Sequence, residues 1–110
     1  MATKKNYNHK KRSMKKYSIV EKLEYHSKRQ GVPGRFGLNF GDPKQCYSMG
    51  FREAFTGRNN EDSVKREFGK RSSNAYSVGY KRGKKAARTY FDKTGKQPFD
   101  LALEIGKKAY

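Results

Sequence analysis

The sequence predicts a mostly α-helical protein, a small bundle of four to five short helices with a flexible basic N-terminal arm. Three observations carry that expectation. Apolar stripes at helical spacing recur along the chain behind helix-start signals, and a glycine follows each of the first four. Alternating, strand-like patterning is confined to residues 35–40. Eight tyrosines and seven phenylalanines supply ring area for a thin core, although only 33% of the chain is apolar.

Residues 1–16 read as the arm. Lys4, Lys5, Lys10, Lys11, Arg12, Lys15 and Lys16 are interleaved with Asn, Ser and Thr, and no apolar face recurs. Like-charged stretches of this kind stay solvated until a polyanion orders them. Residues 17–110 read as one compact helical domain.

The first helix of that domain is expected at about 19–30. Ser18 and Glu21 form a capping box, Ile19, Val20 and Leu23 give the apolar stripe, and Gly31 is the stop. From Gly31 to Gly41 the chain is a glycine-rich connection, in which Phe36, Leu38 and Phe40 share one face when extended. Asp42 and Pro43 then open a second helix as N-cap and first helical residue, and Gln45 completes a capping-box pattern. Tyr47, Gly50, Phe51, Ala54 and Phe55 form its stripe, and Gly57 ends it. A short third helix is expected from Glu61 to Phe68, where Val64 and Phe68 are spaced i,i+4. The fourth segment is the strongest: Ser73 or Asn74 caps it, and it runs to about Lys93 with Gly95 beyond. Pro98 to Lys108 forms the last helix, using Phe99, Leu101, Ala102, Leu103 and Ile105.

Two of these helices echo each other at a spacing of 29 residues. Tyr47-Ser48-Met49-Gly50-Phe51-Arg52 matches Tyr76-Ser77-Val78-Gly79-Tyr80-Lys81. Glycine inside a helix costs about 1 kcal/mol relative to alanine. Gly79 and Gly83 both fall on the stripe with Tyr76, Tyr80, Ala86, Ala87 and Tyr90, and Gly50 holds the same place on the earlier helix. The expectation is that the two helices cross at short distance through these glycines.

Charge is the strongest functional signal. The formal net charge is +17 over 110 residues, from 27 Lys and Arg against 10 Asp and Glu. So large a surplus repels itself in the compact state, and its usual partner is a polyanion. On the fourth helix Lys81, Arg82, Lys84, Lys85 and Arg88 occupy the arc opposite the Tyr/Gly/Ala stripe, and Lys70 and Arg71 extend the patch. No acid occurs between Glu67 and Asp92, whereas solvated helix faces ordinarily mix signs. Lysines would act as point charges on phosphate, and the arginines would fork onto phosphate or a base edge.

Other chemistry has little support. His9 lies in the arm and His26 is expected on a polar helix surface, with no partner at ligand spacing. One cysteine and two histidines do not make a zinc site, and the acids are scattered, so no metal, cofactor or enzymatic activity is expected. Cys46, being single, excludes an intramolecular disulfide, fits a reducing compartment, and is expected to be buried. No apolar run reaches membrane-spanning length and no secretory apolar region opens the chain, so a cytoplasmic protein is expected. Arg35-Phe36-Gly37-Leu38-Asn39-Phe40 departs from the aromatic strand of an RNA-recognition motif at its missing glycine and at Asn39. Gly34-Arg35-Phe36-Gly37 matches the Gly-x-x-Gly loop of KH domains, but the flanking strands are not evident. The better reading is a loop whose Phe36 and Phe40 plug the core while Arg35 points outward to phosphate.

Tyr47-Ser48-Met49-Gly50-Phe51, Tyr76-Ser77-Val78-Gly79-Tyr80 and Tyr17-Ser18-Ile19-Val20-Glu21-Lys22-Leu23 also carry a resemblance over residues 17–90. In style the chain resembles the small basic accessory proteins encoded by bacteriophages and other mobile elements. That group includes anti-CRISPR proteins, some of which occupy a nucleic-acid channel or capture guide RNA. The resemblance implies an inhibitor acting in the cytoplasm of a bacterial host.

The function expected from the residues is non-enzymatic binding of nucleic acid or a ribonucleoprotein. RNA is favoured over duplex DNA because no base-reading helix of a helix-turn-helix stands out. The expected contacts are Lys81, Arg82, Lys84, Lys85, Arg88, Lys70, Arg71 and Arg35, with Lys10, Lys11 and Arg12 of the arm. The alternatives are an anti-CRISPR protein that docks on a CRISPR nuclease or captures its guide RNA, and a ribosome-associated protein.

Overall fold

A computed structural model describes residues 17–31 and 41–109, and these form a small helical bundle with no strand among them. The helices are α1 (Ile19–Gly31), α2 (Pro43–Thr56), α3 (Glu61–Phe68), α4 (Lys70–Thr94) and α5 (Pro98–Ala109). The arm, with Lys10, Lys11 and Arg12, and the 35–40 segment, with Arg35, lie outside the described residues.

Local chemistry sets the helix ends. The Ser18 hydroxyl accepts from the Glu21 amide at 3.1 Å, and the Glu21 carboxylate accepts from the Ser18 amide at 3.0 Å. The Ser18 amide, with the Ser18 hydroxyl beside it, holds the Glu21 carboxyl below its ordinary pKa. At α2 the Asp42 carboxylate accepts from the Lys44 amide at 2.8 Å. Gln45 reaches one residue further back than a capping box would require, accepting from the Gly41 amide at 3.1 Å.

The fourth helix begins earlier than its sequence suggests. Gly69 is the N-cap and Lys70 the first helical residue, so Ser73 and Asn74 are interior positions. Ser72 and Ser73 are buried rather than capping. The Ser72 hydroxyl donates to the Gly41 carbonyl at 2.7 Å, a partner 31 residues away. Tertiary contact thus takes up Ser72, while Ser73 and Asn74, the expected caps, stand inside the helix, Ser73 buried and Asn74 exposed. Lys70 and Arg71 consequently stand in the first turn of a helix that has no acid there, where the helix dipole disfavours cations.

The α2–α4 pair is the centre of the fold. A methyl group at Gly79 would meet the Tyr47 backbone, 2.8 Å from its carbonyl carbon and 3.1 Å from its Cα. One at Gly83 would lie 2.8 Å from the Phe51 Cα, and one at Gly50 would lie 3.0 Å from the Tyr80 nitrogen and closer still to the Tyr76 carbonyl oxygen. The expected close crossing is therefore present, backbone against backbone. The contact advances four residues on both helices, from Tyr47 and Gly79 to Phe51 and Gly83, so the two run parallel. The contacts are also reciprocal: Gly50 meets Tyr76 while Gly79 meets Tyr47. Such exchange is the signature of a two-fold relation, here between two halves of one chain, and it gives the 29-residue echo its physical meaning.

Two apolar clusters use this pair. Leu23, Phe51, Phe55, Ala87, Ala102 and Ile105 join α1, α2, α4 and α5. Cys46, Val64 and Tyr76 join α2, α3 and α4, with Met49, Phe68 and Tyr80 against them. Cys46 is buried, as its sequence context suggested, and burial raises its thiol pKa.

Tyr76 is fully buried, and its hydroxyl donates to the Glu53 carboxylate. The same hydroxyl accepts from the Asn60 amide at 2.8 Å, and the Asn60 side chain donates to both Glu53 oxygens at 3.0 and 3.1 Å. Burial holds the Tyr76 phenol protonated, with its pKa well above the ordinary value. Tyr76→Phe strands the Asn60 amide and part of the carboxylate, so it is expected to cost about 1–3 kcal/mol in denaturant unfolding.

Candidate nucleic-acid interface

The exposed side of α4 carries the expected cations. Lys70, Arg71, Lys81, Arg82, Lys84, Lys85 and Arg88 are all exposed. At about 100° per residue, Arg82 and Lys85 turn toward α1 and α2, while Lys81, Lys84 and Arg88 fall on the other flank. Arg88 lies beside Phe91, Asp92 and Pro98 in a shallow depression where α4 meets the start of α5. Asp92 therefore tempers the charge at that end of the flank.

Arg82 and Lys85 border an open groove of about 620 Å³ between α1, α2 and α4. Its other cations are Lys22 from α1 and Lys93 from the end of α4. Sequence reasoning missed both, because they come from different elements or lie beyond the central run. Ile19, His26, Tyr47, Phe51 and Ala86 give the groove an apolar and aromatic lining beneath this charge. The Arg82 guanidinium donates to the Tyr47 hydroxyl at 3.0 Å and sits 5.8 Å from the ring centre.

His26 is where the sequence expectation fails. It is 4% exposed, not on a polar surface. Its ring packs 4.5 Å from Phe51 and 5.5 Å from Tyr47, centre to centre. Its Nδ1 lies 2.8 Å from the Ser48 hydroxyl, which also accepts from Arg29 Nε at 2.7 Å. Arg29 can only donate, so the Ser48 proton is free to go to His26 Nδ1, an arrangement that suits the neutral ring. A signal was present in the sequence. Ile19, Leu23, His26 and Ser27 recur at helical spacing, and Leu23, His26 and Ser27 are all buried, whereas Val20 from the expected stripe is exposed.

Burial, with Arg29 and Lys22 nearby, pushes the His26 pKa from 6.5 down to about 3. The unfolded chain therefore binds the extra proton first, and stability should fall as pH drops from about 6.5 toward 3. The expected slope is up to about 1.4 kcal/mol per pH unit. Glu21, also depressed, adds its loss only below its ordinary value of 4.5, so the interval from 6.5 to 4.5 belongs to His26. Guanidinium unfolding across that interval, with His26→Gln as the comparison, checks the assignment. The variant should lose the slope.

Among the described residues no cluster of His, Cys, Asp and Glu could hold a metal ion, and no helix is long and apolar enough to cross a membrane. No protein-family model, curated protein or solved structure matches this chain.

Proposed function

We propose that this protein binds nucleic acid without chemistry, with RNA as its favoured partner. The observation that carries this reading is the outer side of α4. Lys81, Arg82, Lys84, Lys85 and Arg88 stand exposed along it, and no acid falls between Glu67 and Asp92. Lys70 and Arg71 add cations at the helix end where the dipole makes them unfavourable. Charge placed against local stability in this way is explained by a ligand that neutralises it. Phosphate is that ligand: each contact releases condensed counterions, and the affinity is general for sequence.

The basic residues at 1–16 add diffuse attraction in this reading. The aromatic lining behind Arg82 and Lys85 favours RNA over a DNA duplex, since unpaired bases stack on rings and paired ones do not. A ribonucleoprotein target, such as a guide-loaded nuclease in a bacterial host, is one setting in which such a surface would act. The test is a titration of the purified protein with single-stranded RNA and with duplex DNA in dilute buffer. Binding to both, tighter for RNA, is expected. Indifference to both would refute the reading.

A further inference from the structure

The near-two-fold relation between α2 and α4 makes two equivalent places, one beside each tyrosine of the echo. On one side the Tyr76 hydroxyl meets Glu53, six residues beyond Tyr47. On the other the Tyr47 hydroxyl meets Arg82, six residues beyond Tyr76. The same geometry is thus used twice with opposite charge. The Glu53 side is closed: Asn60 gives its backbone amide to the tyrosine and its side-chain amide to the carboxylate. The Arg82 side is the open groove of about 620 Å³, a volume within the usual range for small-ligand sites of roughly 300–1,000 Å³.

Only one Arg82 nitrogen is engaged by Tyr47 in that pair, and the guanidinium has five N–H donors. Lys22, Lys85 and Lys93 line the same space and can only donate. An occupant must therefore bring acceptors and negative charge on one side. Beside these cations the ring of Tyr47 and the methyl of Ala86, both half-buried, offer apolar surface that a flat body would cover. A nucleotide joins these two properties in one unit. A double helix does not, because its bases are stacked inside.

We propose that this groove takes one unpaired nucleotide of single-stranded RNA, its base against the Tyr47 side of the groove and its phosphates on Arg82, Lys22, Lys85 and Lys93. The proposal rests on the RNA-binding reading and adds a seat for a base to what would otherwise be a phosphate-binding surface. Glu53 and Arg82 explain why only one of the equivalent sides is available: the acidic one is filled by the chain itself.

A single-stranded oligoribonucleotide carrying 2-aminopurine tests it, alone and annealed to its complement. The wild-type protein should quench the fluorophore in the single strand and bind that strand more tightly than the duplex. Ala86→Met fills part of the groove without changing charge or adding a ring. It should remove the quenching and lower single-strand affinity about tenfold, leaving the salt dependence unchanged. Tyr47→Leu keeps apolar bulk but removes the ring and hydroxyl, and it should act in the same direction. The wild-type comparison of single strand with duplex needs no variant to fold. Equal affinity for both forms without quenching overturns the nucleotide seat and leaves phosphate binding intact. Wild-type quenching in folded variants overturns it too. Failure of the wild-type protein to bind either form removes the underlying reading as well.

Discussion

Gly79→Ala is expected to destabilise the protein, and Gly79→Leu to abolish its cooperative unfolding transition. In an ordinary helix interior, glycine to alanine gains about 1 kcal/mol. At Gly79 the sign should reverse, because the new methyl meets the Tyr47 main chain and not the movable end of a side chain. Helices α2 and α4 would have to separate, opening both clusters that pack across them. Overpacking a tight core costs about 1–3 kcal/mol and sometimes more. Small domains hold only about 5–15 kcal/mol in all, and Leu, by holding the two backbones apart, should forfeit the packing of both clusters on top of the overpacking cost and so exhaust that margin. Gly106→Ala is the control. Its methyl would lie 3.0 Å from Arg52 Nη2, the far end of a flexible side chain, and should hold the melting temperature or raise it. Thermal unfolding of the three variants by circular dichroism separates the cases. Unaltered melting of Gly79→Leu would show that the crossing does not organise the bundle.

The largest functional effect is expected from reversing Lys81, Lys84, Lys85 and Arg88 together to Glu. Each change removes a phosphate contact and installs a repulsive carboxylate, so affinity for RNA should drop by about two orders of magnitude or more at low salt. The four side chains are exposed, and four changes of two charges each lower the net charge from +17 to +9, so the fold should be retained. Loss of binding with retained melting behaviour would therefore be a surface effect and not unfolding. Filter binding or fluorescence anisotropy, run beside a thermal melt, reads both quantities. Undiminished binding would move the interface away from α4.

Much of the fold was legible in the sequence because its signals are local. Ser18 with Glu21, and Asp42 with Pro43, mark helix starts through contacts spanning two or three residues. Gly50, Gly79 and Gly83 were legible for a different reason: glycine on an apolar helix face is unfavourable unless a second backbone needs the space. The start of α4 was not legible, since Ser73 and Asn74 have cap chemistry while Gly69, the actual N-cap, makes no side-chain cap bond. His26 was misjudged because its burial depends on Ser48, Tyr47 and Phe51 from another helix. At the interface the sequence identified the run of cations but not the groove that Arg82 and Lys85 border. Lys22 joins Arg82 only when α1 packs beside the α2–α4 pair. The inversion from Glu53 to Arg82 is likewise invisible until the two tyrosines are seen to be equivalent.

Binding through phosphate neutralisation is the central claim, and its most direct test is the slope of log affinity for single-stranded RNA against log salt concentration. The account predicts a straight line with a steep negative slope, about 0.7 for each phosphate contacted. It also predicts a slope shallower by about 3 in the Lys81, Lys84, Lys85 and Arg88 reversal. An affinity that scarcely changes with salt, or a slope identical in the two proteins, would contradict it.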